Sequence, residues 1–360
     1  MKSRKQVRRI RNKSKKFRKM KKGGGERENR LLFNACRLGD MELAMSLVDR
    51  GADVEAIDVH QRTPLHYACL NGHMELAMAL VDRGADVDAE DDNQRTPLLF
   101  ACVHGNSKVA LALISRGANV NATEREWDAD ENEPNDDIKP QERTPLHYAS
   151  LRGLLEVAIS LIDHEANINA EDDFQDTPLH LACRNGHMEL AIALADRGAD
   201  VNARDNNGDT SLHLACWRGD MNMAMALIDM GADVNARNDK QRTPLHKACM
   251  ESHMELAMSL VDRGADVEAR ENTIANWLFN EYQKTPLDYL SMENRNRLES
   301  MINRNVGNVM SSMIQRTQEK DSARRISELP EEIGRKVGSY LGGKRKTKKR
   351  KTRRRKTRKH

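Results

Sequence analysis

Four His-x-x-Cys pairs, His66/Cys69, His180/Cys183, His213/Cys216 and His246/Cys249, are the residues whose types and spacing could hold a metal ion. Imidazole and thiolate are zinc ligands, and a structural zinc site takes four of them. Each pair supplies two, with no second pair placed to complete the set. Two further cysteines, Cys36 and Cys102, recur without the His, and Leu99 and Asp288 stand where it would be in two copies. That distribution fits a small buried thiol that packs as an apolar group, beside a His that braces the turn before it. Neither a metal nor a cofactor is expected. A Gly-rich phosphate loop, a metalloprotease helix motif and a nucleophile elbow are all missing from the sequence, so the chain reads as a non-enzyme.

The pairs lie inside a longer repeat. Thr-Pro-Leu-His recurs at Thr63, Thr144, Thr177 and Thr243, with near copies at Thr96, Thr210 and Thr285, in steps of 33, 48, 33, 33, 33 and 42 residues. A fixed period of this length marks an array of one supersecondary unit, in which stability comes from neighbour contacts. Within a unit, Thr63 caps a helix and Pro64 fits its first position. Gly72 permits a turn, Met74 to Asp82 form a second helix with Leu76, Ala77, Leu80 and Val81 on one face, and Gly84 closes it. Ala85 to Ala89 are too short and too interrupted by Asp for a buried strand, so an extended finger leads to the next Thr.

Thr-Pro-Leu-His at the start of each unit and Gly-Ala-Asp-Val-Asn/Asp/Glu-Ala at its end resemble the ankyrin repeat. The resemblance implies an all-α solenoid of stacked helix-turn-helix units with extended fingers, over residues 29–302. An amino-terminal cap unit takes 29–62, units start at 63, 96, 144, 177, 210 and 243, and a half unit starts at 285. Ankyrin units usually carry Gly two residues before the Thr. Here Gly208 keeps it, and Gln61, Gln94, Gln141, Gln175, Gln241 and Gln283 read as its replacements, each at about 1 kcal/mol if φ is positive there. The insertions, about 127–141 and 272–280, fall in fingers. The first is acidic and bears Pro, while the second carries Ile274, Trp277, Leu278 and Phe279 and is expected to fold over the last repeats.

Charge is strongly segregated. Residues 1 to 22 carry 13 Lys and Arg, residues 344 to 360 another 13, and neither end has an acid; of the 59 basic residues, 33 remain against 55 acids, so the body is near −22. Such ends cannot bury themselves and read as disordered: an arm with a Gly linker at 1–28 and a tail at 342–360. In the arm, Val7, Ile10, Phe17 and Met20 approach helical spacing, as in a basic amphipathic helix for a nucleic acid, an anionic membrane or an acidic partner. Apolar runs long enough to span a membrane are lacking, and the expectation is an intracellular monomer, nuclear or cytoplasmic, with reduced thiols.

In ankyrin arrays the partner usually sits in the concave groove, on finger tips and the exposed side of the first helices. The resemblance carries that role to His60, Arg62, Leu70, Asn71, Asn93, Arg95, Val103, His104, Arg152, Phe174, Asp176, Arg184, Asn207, Trp217, Arg218, Arg242 and Met250. These positions vary between units while helix interiors barely do, and Phe174 and Trp217 are the natural anchors. After a linker at 303–325, residues 326–341 hold Leu329, Pro330, Ile333, Val337 and Leu341; their opening resembles the first helix of an F-box, which implies a ubiquitin-ligase subunit as partner. The last run, Lys344, Arg345, Lys346, Lys348, Lys349, Arg350, Lys351, Arg353, Arg354, Arg355 and Lys356, suits nuclear targeting or contact with nucleic acid or another polyanion. The near-identical units and the Thr-punctuated tail are similar to ankyrin proteins of large DNA viruses.

Overall fold

Thr63 sets the pattern of every unit. Its backbone is extended (φ −88, ψ 166) and Pro64 follows at the first helical turn, where a missing N–H loses no hydrogen bond. The helix runs Pro64–Leu70, Gly72 turns the chain at φ 79, and a second helix runs Met74–Asp82 to Gly84 at φ 91. Both glycines take left-handed conformations that a side chain would strain. The structure, a computed structural model, describes residues 25–124, 142–271 and 284–304. It comprises two units, Met1–Arg295 and Asn296–His360. In the second, residues 296–304 are helical.

The first unit is a stack of helix pairs. Glu26–Leu38 with Met41–Asp49 opens it, followed by Pro64–Leu70 with Met74–Asp82 and Pro97–Val103 with Ser107–Ser115. Pro145–Arg152 with Leu155–Asp163, Pro178–Asn185 with Met188–Asp196, Ser211–Arg218 with Met221–Asp229, and Pro244–Met250 with Met254–Asp262 continue it to a 3-10 turn at Pro286–Tyr289. First helices pack on first helices of the neighbouring units and second on second. Ala68, Ala101, Ala149, Ala182, Ala215 and Ala248 are fully buried at one repeated site, where a small side chain lets the helices approach closely. No strand occurs among the described residues.

The repeated His ties the first helix of a unit to the finger that ends it. In the second unit His66 Nδ1 accepts from the Thr63 N–H (3.0 Å), and Nε2 lies 3.0 Å from the carbonyl of Arg95, the last residue of that unit. A carbonyl only accepts, so Nε2 carries the proton and the ring is neutral. His147, His180, His213 and His246 repeat the arrangement, reaching Asp176, Ala203, Arg242 and Lys284. The brace expected within each turn is therefore also a bond from helix to finger. In the half unit Asp288 takes over the capping half of the role, accepting from the Thr285 N–H at 2.8 Å.

Each short finger closes on a carboxylate or amide. Asp172 Oδ1 accepts from the N–H groups of Phe174 and Asp176, both at 2.9 Å, and Asp58, Asp91, Asp205 and Asn238 do the same in their turns. Where the sequence has its insertions, the equivalent residues are Glu124 and Glu271. These two bond to Tyr148 and Arg242. The positive-φ expectation holds at Gln61 (57), Gln94 (59), Gln175 (55) and Gln241 (59), and at Gly208 (71). One register needs correcting: two residues before Thr144 stands Glu142 (φ 43), not Gln141. Gln141 and Gln283, both insertions beyond their described edges, residues 1–24 of the arm and the tail lie outside the described residues, while Glu26 to Glu28, expected as part of the disordered arm, begin the first helix.

Candidate protein-binding groove

Tight turns set the height of the finger tips, and the tips are bonded to one another. The Asn206 N–H donates to the Phe174 carbonyl (2.9 Å), and the Asp239 N–H to the Asn207 carbonyl (3.0 Å). Opposite them run the carboxyl-terminal ends of the first helices, at Leu70, Val103, Leu151, Arg184, Trp217 and Met250 in successive units. Between tips and helices, at the units starting at 177 and 210, lies a cleft of about 520 Å³. Phe174 and Trp217, 46% and 47% exposed, form part of its lining, with Leu214 also present.

Its charged lining is internally paired. Both Arg184 guanidinium nitrogens bond to Asp176, Nη2 at 2.8 Å, and Nη2 also reaches Asp205 at 3.2 Å. Arg143 Nε donates to Asp172 (3.0 Å), and Lys247 Nζ to Asp209 (2.7 Å). Burial opposes ionisation of Asp209, yet the Lys247 bond and charge hold its carboxyl below the usual carboxylate range. Each of these four carboxylates touches one of three cations, Arg184 serving two, so a partner covering this floor meets acids that already have a partner. An apolar or planar group between the two aromatic side chains is the occupant such a cleft accepts best.

Of the residues named from sequence, Phe174, Asp176, Arg184, Asn207 and Trp217 meet in this cleft. Asp176 is 1% exposed and bound to Arg184, so it supports the floor and offers no free contact. His60, Asn71, His104, Arg152 and Arg218 are exposed on other parts of the array, while Leu70, Asn93, Val103 and Met250 are half-buried. Three arginines serve the fold. Arg95 grips Asp91 through Nε and Nη2, Arg62 and Arg95 flank the Phe100 ring at 5.4 and 4.8 Å, and Arg242 donates to Glu271 at 2.6 Å. Beside them burial lowers the His104 pKa, with the charges of Arg152 and Arg95 adding to it. Sequence reasoning missed Arg143, Asp205, Asn206, Leu214 and Lys247 in the cleft. The signal for Asp205 was its recurrence 33 residues apart as Asp172 and Asn238.

The thiols carry no reactivity. Cys36, Cys69, Cys102, Cys183, Cys216 and Cys249 are free and buried, and burial pushes Cys36, Cys102, Cys183 and Cys249 up to about 12. Among the described residues no group of three or more His, Cys, Asp or Glu is placed to hold a metal ion, and no helix is long and apolar enough to cross a membrane. Residues 326–341, with Leu329, Pro330, Ile333, Val337 and Leu341, and the basic run Lys344 to Lys356 lie outside the described residues.

Stacked helix pairs, His bonds from helix to finger and Asp-closed fingers define a repeat protein. The family model for ankyrin repeats (3 copies) matches residues 32–124, 128–205, 146–238 and 212–305, and the chain belongs to the ankyrin repeat family. Among solved structures, the crystal structure of the human ASB11 ankyrin repeat domain is similar at 27% sequence identity and a TM-score of 0.55, covering 65% of this chain and 98% of that one. No curated protein matches the chain.

Proposed function

We propose that this chain captures a protein partner in the groove between finger tips and first helices, with Phe174 and Trp217 as the anchors. Ankyrin repeats are in general protein-interaction modules. The observation that carries the specific reading is a pair of half-exposed aromatic side chains over a salt-bridged floor. Large exposed aromatics at the centre of a cleft are the groups whose burial dominates interface energy, at 2 kcal/mol or more each. Affinity capture with the full chain, compared with Phe174→Ala/Trp217→Ala, tests this. The double variant should keep its helical circular dichroism and lose its specific partners, about 30-fold or more in affinity. Retention of the same partners at wild-type yield would overturn the reading.

The ends supply the finer part of the proposal. The run Lys344 to Lys356 suits nuclear targeting, or unselective and salt-dependent contact with a polyanion. The order Leu329, Pro330, Ile333, Val337, Leu341 suits docking to a ubiquitin-ligase subunit. Neither end is required for groove capture, so removing residues 344–360 should leave the groove's partners in place.

A further inference from the structure

The stack ends at its amino-terminal side on an apolar face. Leu31, Leu38, Met41 and Leu43 are 38%, 74%, 43% and 41% exposed. Leu43 is the counterpart of Leu76, Leu190 and Leu256, each 2% exposed inside the stack, so its exposure follows from having no preceding unit. Leu38 is more telling. Its counterparts are Asn71, His104, Arg152, Asn185, Arg218 and Glu251, all polar, and Arg218 reaches back to the Arg184 carbonyl of the unit before at 3.1 Å. The position is exposed in every unit, and this sequence places an apolar residue there only in the first. An end repeat meant to meet water has a polar outer face.

We infer that residues 1–22 of this same chain cover that face as a basic amphipathic helix. The segment ends three glycines before Glu26, where the first helix starts, so it emerges beside the face and has freedom to turn back. As a helix, Val7, Ile10, Phe17 and Met20 fall within an arc of about 140°, one stripe, and 22 residues extend about 33 Å, enough to cross the end of one helix pair. Charge agrees. Residues 26–58 carry eight acids against four arginines, while the segment has 13 cations and no acid.

Disulfide trapping in the full chain tests the contact, since the native cysteines are buried and do not compete. A bridge needs Cα atoms within about 7 Å. Phe17→Cys with Leu38→Cys should form an intrachain disulfide at least tenfold faster than Lys15→Cys with Leu38→Cys, because Lys15 lies on the opposite side of the proposed helix, and at a rate unchanged by dilution. Ile10→Cys with Met41→Cys should behave like the first pair. Equal rates for Phe17 and Lys15 would mean a loose tether and overturn the inference. Disulfide-linked dimers that vanish on dilution would assign the face to a second copy and overturn it as well.

Discussion

Ser150 sits where every other full unit carries Cys, fully buried, and its Oγ has no hydrogen-bond partner. A buried hydroxyl without a partner costs about 1–3 kcal/mol, so Ser150→Cys should stabilise the array by about 1 kcal/mol, read as a raised urea midpoint with unchanged slope. The His bonds from helix to finger make a second expectation. Burial lowers the pKa of His66, His147, His180, His213 and His246, to about 4 for His147 and His246. The unfolded chain takes up a proton near pH 6.5 while the folded His does not, so their contribution is whole above pH 6.5 and is lost as pH falls toward 4. At pH 5, His147 and His246 should each have lost about 2 kcal/mol, measured by denaturant unfolding across that window; stability independent of pH from 7 to 5 would contradict it. Sequence read this His as a brace for its turn. Its second bond was not legible, because the acceptor is a backbone carbonyl that no side-chain pattern marks.

At the scale of elements, the helices were legible because Thr-Pro starts them and Gly ends them. The finger turns were legible only in part. The positive φ was expected from the Gly-to-Gln replacement, but the role of Asp at the base of the turn was not, since its acceptors' partners are backbone N–H groups that no side-chain pattern marks. Gln94, at φ 59, marks where strain remains. Gln94→Gly should stabilise by about 0.5–1 kcal/mol, the left-handed penalty less the added chain entropy, visible as a raised Tm. The arginines of the fingers were the least legible. Variation suggested partner contacts for Arg62, Arg95 and Arg242, whereas the Asp91 and Glu271 carboxylates and the Phe100 ring already occupy them.

Across the molecule, neighbour contacts at two levels, core Ala packing and finger tips, hold the array in register, and that register places Phe174 beside Trp217. Sequence singled out both aromatics as variable outward positions, but not the salt-bridged floor between them, because that floor joins residues from four units, as far apart as Arg143 and Lys247. The most direct measurement of partner capture uses the fluorescence of Trp217 itself. With Trp127→Phe and Trp277→Phe, it is the chain's one remaining tryptophan. Adding a partner recovered by affinity capture should shift its emission to shorter wavelength as the indole leaves water, saturating with the binding isotherm. Saturable binding that leaves the emission unchanged would place the partner elsewhere and contradict the account.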